Sequence, residues 1–600
     1  MKRAPPRSRS GMSCLLPAAL LAVHTGLLGW GALRHSPGWD EVGHLVAGIS
    51  HYEFGTFDLY RVNPPLVRMV AAAPVVLADP KTDWRKYDAS VGARSERYLR
   101  GDFVSANQQR IFWLHTLARW ACIPLSLLGG YVSFRWAGEL YGRLAGILAL
   151  ALWCFSPNIL ASGQMITPDA GAAALGVTAG YLFWRWLRGP GWTRASAAGV
   201  VLGLAELTKT TWAVLFVLWP VLWLAWQRSR PTAQGTEGKQ SIVSDGVVVT
   251  RKRQACQLAV ILLLGLYVLN LGYLFEGTFQ RLVDYRFVSR TLGGSPQQEP
   301  YVGPGQNRFA DTWLAAVPVP LPKNYLMGID LQKSDFEQKM TSYLAGQWRE
   351  GGWWYYYLYA LAIKVPLGTW ILVLLAWVAG LLGARYAAPW RDELVLLAPI
   401  AVVLTLVSSQ TGFNHHMRYV LPIFPFAFIW MSKVARAVEL GHRKIAAVAA
   451  VALVWSVGSS LWVYPHSLSY FNELVGGPTH GHAHLGGVDV DSNIDWGQDL
   501  LYLKRWLDQH PEARPLHLAF NGVYDAGVAG IEYTLPPTEP QPGWHALSVN
   551  KIRSRSRQYE YFLRFEPVAM AGYSIYIYHV QRGEANRVRR ELGLPELPDP

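Results

Sequence analysis

Apolar runs near or above the ~18–20 residues that cross a bilayer recur along this chain. Short loops rich in Lys and Arg separate them. A soluble core has no way to bury so many long apolar runs in succession, whereas a bilayer requires them. The composition agrees, with 51% hydrophobic residues against 16% charged, where soluble proteins carry about 25% charged residues. The expectation is a polytopic α-helical membrane protein. Its net charge of +14 then belongs to loops on the inner face. The same placement argues against nucleic acid as a partner.

The N-terminal stretch MKRAPPRSRS is basic, and the apolar run 12–33 follows it. That run is long and ends in no small-residue cleavage site, so it reads as an uncleaved first span with a cytoplasmic N-terminus. About eleven transmembrane helices follow from the apolar pattern. They lie near 12–33, 111–134, 144–161, 169–187, 195–208, 211–227, 256–275, 356–383, 393–408, 419–432 and 445–463. Loops 34–110 and 276–354 fall outside. Within the first, 66–78 is apolar but short, as an interfacial helix would be. In the second, 309–313 and 335–348 read as short helices. The odd number of crossings places 464–600 on the side opposite the N-terminus. This tail has helical spacing over 499–509 and strand-like runs at 516–520, 545–549 and 573–580, so it reads as an extracytoplasmic α/β domain. The division is thus 1–463 in the inner (plasma) membrane and 464–600 outside it. Cys14, Cys122, Cys154 and Cys256 lie in or beside spans, with neither metal-ligand spacing nor a disulfide framework.

This topology gathers ionisable residues from distant parts of the chain at the outer face. Asp40, Glu41 and His44 follow the first span, and Asp169 and Lys209 stand at the outer ends of others. His415, His416 and Arg418 precede 419–432, and Lys364 lies about two turns inside 356–383. Ionisable groups at such depths are costly, so they face a cavity and pair with one another. A carboxylate there suits general-base work on an acceptor hydroxyl. Cations suit a lipid phosphate and the charge that develops on it. The oxygen ligands, Asp40 and Asp169, also suit a divalent cation.

Five stretches then occur in a telling order: Asp40-Glu41, Asn63-Pro64-Pro65-Leu66, Thr167-Pro168-Asp169, GLAELTK at 203–209 and RYVLP at 418–422. The chain resembles the GT-C membrane glycosyltransferases of family 39, which include protein O-mannosyltransferases and bacterial lipid A aminoarabinose transferases. The resemblance implies a GT-C type fold. It also implies inverting transfer of a sugar from a polyprenyl-monophosphate donor, with membrane lipid around it, to a protein, lipid or glycan acceptor of the envelope. Asp40 matches the first-loop catalytic acidic residue, a base, Glu41 its neighbour and Asp169 the second acidic position. Lys209 and Arg418 match basic residues at the rim, where Lys364 and Arg61 would also serve the donor phosphate. His44, Asn63, His415 and His416 are candidate substrate contacts. One departure stands out. The aminoarabinose transferases carry Lys before Pro-Pro-Leu, and here it is Asn63, so Arg61 or Arg68 would have to replace that cation.

The tail carries YFNELVGGP at 470–478 and DSNIDWGQDL at 491–500, which resemble a bacterial family 39-like subgroup with a soluble C-terminal domain. Asp491, Asn493, Asp495, Gln498 and Asp499 are suited to sugar hydroxyls or a cation, and Asp499 equally to capping a helix. His480, His482 and His484 alternate, as a one-sided metal site on a strand or as incidental loop residues. Two other functions remain open on the residues alone: a transporter or flippase of lipid-linked sugars, and a non-catalytic glycan-binding scaffold.

Overall fold

The structure, a computed structural model, describes residues 12–228, 241–244, 247–294, 305–381, 383, 385–486 and 492–598; Asp491 lies outside these. Among the described residues, seven helices are long and apolar enough to cross a membrane, or nine if each of two bent pairs is one span. Their outward faces carry apolar side chains, among them Leu15, Val221, Leu263, Trp377, Val451 and Val454. A water-facing surface would not be built this way, whereas hydrocarbon needs no polar face.

The two remaining expected spans are also helices, Pro168–Arg188 and Trp192–Glu206. The first is short of apolar bulk and the second, at 15 residues, short of length. Pro168–Arg188 is buried along nearly its whole length, so its neighbours are protein and its small residues serve packing. A Cβ on Gly176 would lie 1.9 Å from the Trp212 ring. On Trp192–Glu206, a Cβ on Gly203 would come within 2.5 Å of the Gly265 carbonyl oxygen, so that helix meets Arg251–Gly272 backbone to backbone.

The expected crossing at 356–383 is not one rod. It is Tyr356–Lys364 followed by Leu367–Leu381, bent by 109°. Pro366 stands between them, where it removes a backbone donor and clashes with the preceding turn. The expected 144–161 is likewise Arg143–Phe155 and Pro157–Gly163, bent by 57° at Pro157. In the loop 276–354, the helix Lys323–Glu337 ends within the first turn of the predicted 335–348 helix. There Thr341–Leu344 pairs antiparallel with Gln347–Glu350 instead.

After the first helix, Met12–Arg34, the chain turns at Ser36–Gly38 into a second, Trp39–Phe54. A third, Leu66–Leu77, is the expected short apolar helix. It lies so close to the second that a Cβ on Gly48 would meet the Arg68 carbonyl oxygen at 2.3 Å.

The tail holds a four-stranded sheet. Leu516–Ala519 runs parallel to Gly543–Ser548, which pairs antiparallel with Ile575–Val580, and that strand with Ala569–Ala571. Helix Leu500–Gln509 packs Leu500, Leu503 and Leu507 against it. The tail is not a bead on a string, however. Leu485, Ile494, Leu547 and Val549 join the same continuous core as Met417, Leu421 and Tyr357 of the membrane part.

Candidate active site

Four charged side chains meet where the helices end at the tail-facing side. Asp40 sits in the first turn of Trp39–Phe54, and its Oδ2 accepts from an Arg418 terminal nitrogen at 2.7 Å. The other terminal nitrogen of Arg418 is 3.6 Å from Asp169 Oδ2. Lys209 Nζ donates to Asp169 Oδ1 at 2.6 Å and lies 5.0 Å from the centre of the Tyr419 ring. The result is an alternating row: Asp40, Arg418, Asp169, Lys209. Asp169 begins its helix behind Pro168, and negative charge is favoured at that end of a helix dipole.

The row is not uniformly accessible. The Asp40 side chain is 27% exposed and that of Asp169 only 2%. Arg418 keeps its Nε without a hydrogen-bond partner among the described residues. It borders a crevice lined by Asn158, Ser162, Leu421, Lys364 and Asn493. A second crevice is lined by His44, Pro64, Arg68, Thr167 and Pro168. There, Arg68 Nε and Thr167 Oγ1 lack partners among the described residues. His44 stacks on Tyr60 at 4.6 Å. Burial, with Arg68 and Arg418 nearby, holds its pKa well below the usual imidazole value, so it is a neutral hydrogen-bonding group.

Three expected site residues are engaged in other contacts. Glu41 is fully buried. Its oxygens accept from Arg119 at 2.6 and 2.9 Å, from Gly38 N at 2.8 Å and from Ile166 N at 2.8 Å. Burial alone would raise its pKa, but Arg119 outweighs that and the carboxyl is held below the usual range. It is a structural anion with no face toward a substrate. Arg61 donates to Asn324 and Asp58 and to the Ala89 and Ser90 carbonyls, all at 2.7–2.9 Å. A guanidinium so saturated organises its loop and has little to offer a phosphate. Lys364 lines the first crevice, but its ammonium donates to the Leu468 carbonyl at 2.7 Å and to that of Asn493, and lies over Phe471. It fastens the tail to the broken helix.

The turn before Pro64 answers the missing Lys differently. Arg68 donates to the Asn63 carbonyl, and to those of Leu59 and Tyr60 at 3.1 and 2.9 Å. A cation therefore stands behind Asn63 after all, supplied from one turn into the next helix. His415 reaches the Thr341 carbonyl at 2.7 Å, and His416 the Ser492 hydroxyl at 2.8 Å. The two rings stand nearly perpendicular, and the chain here is extended rather than helical at His416.

The tail supplies what sequence reasoning missed. The Trp496 ring lies under the Arg418 guanidinium at 4.4 Å. Its carbonyl accepts from Trp39 N at 3.0 Å, one residue before Asp40. Asn493 takes the Met417 N–H on Oδ1 at 3.0 Å and donates to the His415 carbonyl at 3.0 Å. Asp495 is buried between Ser548 and the Gly497 N–H. The segment thus packs into the site as scaffold, with Asn493 and Asp495 bonded to protein groups. His480, His482 and His484 are not a ligand set. They turn to Gly476, Arg553 and Tyr359 respectively.

Comparison with known proteins gives one family. Residues 89–271 match the model described as dolichyl-phosphate-mannose-protein mannosyltransferase, under half of the chain. The stretch includes Asp169 and Lys209 but not Asp40 or Arg418. No curated protein matches. Two solved structures of ArnT from Cupriavidus metallidurans are similar. One, bound to undecaprenyl phosphate, is 13% identical over 95% of this chain and 98% of that chain, with a TM-score of 0.41. The other, in the apo state, is 12% identical over 93% and 97%, also at 0.41.

Proposed function

We propose that this protein is a membrane glycosyltransferase of the kind its family match describes, moving a sugar from a polyprenyl-monophosphate donor to an acceptor of the cell envelope. The reaction takes place on the extracytoplasmic side and inverts the anomeric carbon. The observation that carries the reading is the Asp40–Arg418–Asp169–Lys209 row, whose Arg418 lines one crevice and whose Asp169 follows the Pro168 that lines the other.

Asp40 is the base in this reading, because it is the carboxylate of the row that an acceptor reaches. It takes the hydroxyl proton as the acceptor oxygen attacks C1 of the sugar. The C1–O bond to phosphate breaks, and polyprenyl phosphate leaves with the electron pair. Arg418, through its unpartnered Nε, and Lys209 hold the charge that grows on the phosphate. Arg68 faces the second crevice and serves the same anion in place of Arg61. Asp169 keeps Lys209 and Arg418 in position through its two oxygens. Asp40 and Asp169 both approach Arg418, which supplies the positive charge a divalent cation would otherwise bring between them.

Purified full-length protein in detergent or liposomes, given a polyprenyl-phosphate sugar and a panel of envelope acceptors, is expected to release polyprenyl phosphate. If no acceptor elicits release, the reading falls. Asp40→Asn is expected to lower turnover by about 10²–10⁴-fold with unchanged expression. A variant as active as the parent would remove Asp40 from the base role.

A further inference from the structure

A second polar cluster lies beside the row and takes no part in it. His35 follows the first helix, His466 follows the last apolar helix, Arg443–Val463, and Asp499 precedes the tail helix Leu500–Gln509. One ligand-type atom from each lies within 4.8 Å of the other two. His466 Nδ1 is 2.9 Å from Asp499 Oδ1, and His35 Nε2 is 3.8 Å from the same oxygen.

We propose that His35, His466 and Asp499 bind a first-row transition-metal ion of the Zn²⁺ class, which ties the tail to the ends of the first and last apolar helices.

The hydrogen bonds argue for it. His35 Nδ1 stands 2.9 Å from the Gly31 carbonyl. A carbonyl only accepts, so that nitrogen carries the proton and the neutral ring has its lone pair on Nε2. Nε2 is buried, has no hydrogen-bond partner among the described residues and faces a carboxylate oxygen, acceptor to acceptor. An imidazolium would relieve this by donating to Asp499, but 3.8 Å is too long for that bond. A cation between the two atoms relieves it. A ring nitrogen tied to a backbone carbonyl, with the other nitrogen left for the ion, is also how ligating histidines are held.

Asp499 is arranged to match. It occupies the N-cap position of Leu500–Gln509, yet its side chain caps nothing. It turns instead to His466, with Ser574 and Gln498 bonded to Oδ2. The Tyr502 ring lies against both imidazoles, at 4.4 and 5.4 Å between centroids. Two imidazoles and one carboxylate suit Zn²⁺ rather than Mg²⁺ or Ca²⁺, which take oxygen ligands. His466 is 14% exposed where Asp499 is sealed, so the ion would enter past His466.

The test uses the full chain without a histidine tag, in detergent, stripped with a chelator and then titrated with Zn²⁺ or Co²⁺. The expected result is one tightly bound equivalent by elemental analysis, the visible absorption of low-coordinate cobalt, and a melting temperature that rises on metal addition. His466→Ala and His35→Gln are each expected to weaken binding at least tenfold and to abolish the thermal shift. His482→Ala, in the histidine-rich loop, should change neither. The proposal is overturned if the parent binds no stoichiometric metal, or if either ligand variant that folds binds like the parent. It is also overturned if His482→Ala removes the ion.

Discussion

Asp40 and Glu41 are neighbours on one helix with opposite fates. At 3.6 residues per turn they point about 100° apart. Asp40 therefore meets Arg418 at a cavity edge, while Glu41 turns inward to Arg119. Arg119 is itself buried, and its remaining donors go to the Ala32, His35 and Ser36 carbonyls. Removing the charge on Glu41 strands that guanidinium, at a cost of about 3–5 kcal/mol. Glu41→Gln is accordingly expected to lower the melting temperature in detergent, whereas Asp40→Asn should lose turnover and keep it. A Glu41→Gln variant that melts like the parent but no longer turns over would make Glu41 a catalytic group. The pH dependence has a fixed sign. The folded pKa of Glu41 is depressed, so its stabilisation is complete above the unfolded carboxylate value. It is lost as pH falls through the folded one. The melting temperature of Glu41→Gln should therefore depend less on pH along the acid limb than that of the parent. None of this separation was legible in the sequence, because the partner that decides it lies 78 positions away.

At the scale of elements, two short segments far apart in sequence build one wall of the site. Ser36 N donates to the Gln498 carbonyl at 2.9 Å, Ser36 Oγ to that of Gly497 at 2.8 Å, and Leu500 N to Ser36 Oγ at 3.0 Å. These bonds clamp residues 496–500 to the turn that aims Asp40. The clamp also puts the Trp496 ring under Arg418. The run DSNIDWGQDL was conspicuous in the sequence, but its polar residues drew attention and its tryptophan did not. A lone aromatic among 27 Trp and 29 Tyr residues gives no sign of what it stacks on. A cation–π contact of this kind contributes ~0.5–2 kcal/mol. Trp496→Ala should thus lower kcat/KM by roughly twofold to thirtyfold on that scale, with Trp496→Phe recovering part of the loss. The comparison is a steady-state one, at varied donor concentration. Unaltered kinetics in a well-folded Trp496→Ala would leave the ring with a packing role only.

At the scale of the whole molecule, the site constrains how the chain threads the bilayer. The end of the first helix, the start of Pro168–Arg188, the Lys209 turn, Met417 and the tail segment all meet at one place. Every stretch of chain between two of them must then return to the face it left. This parity was legible in the sequence, because the basic loops predict a direction for each apolar run. The number of independent membrane-length helices was not, because hydropathy is blind to a bend at Pro366 or to a helix such as Pro168–Arg188 that protein surrounds. With a cytoplasmic N-terminus, residues 35–110 and the tail share the outer side and the start of Arg251–Gly272 faces the cytoplasm. Three exposed positions report this in a Cys256→Ala background: Ser105→Cys, Ser556→Cys and Lys252→Cys. A membrane-impermeant thiol reagent applied to intact cells should label the first two and reach the third only after permeabilisation. Labelling of Lys252→Cys from outside together with Ser556→Cys would break the parity. Labelling of Lys252→Cys alone would invert the molecule and move the site, with its acceptor, to the cytoplasmic face.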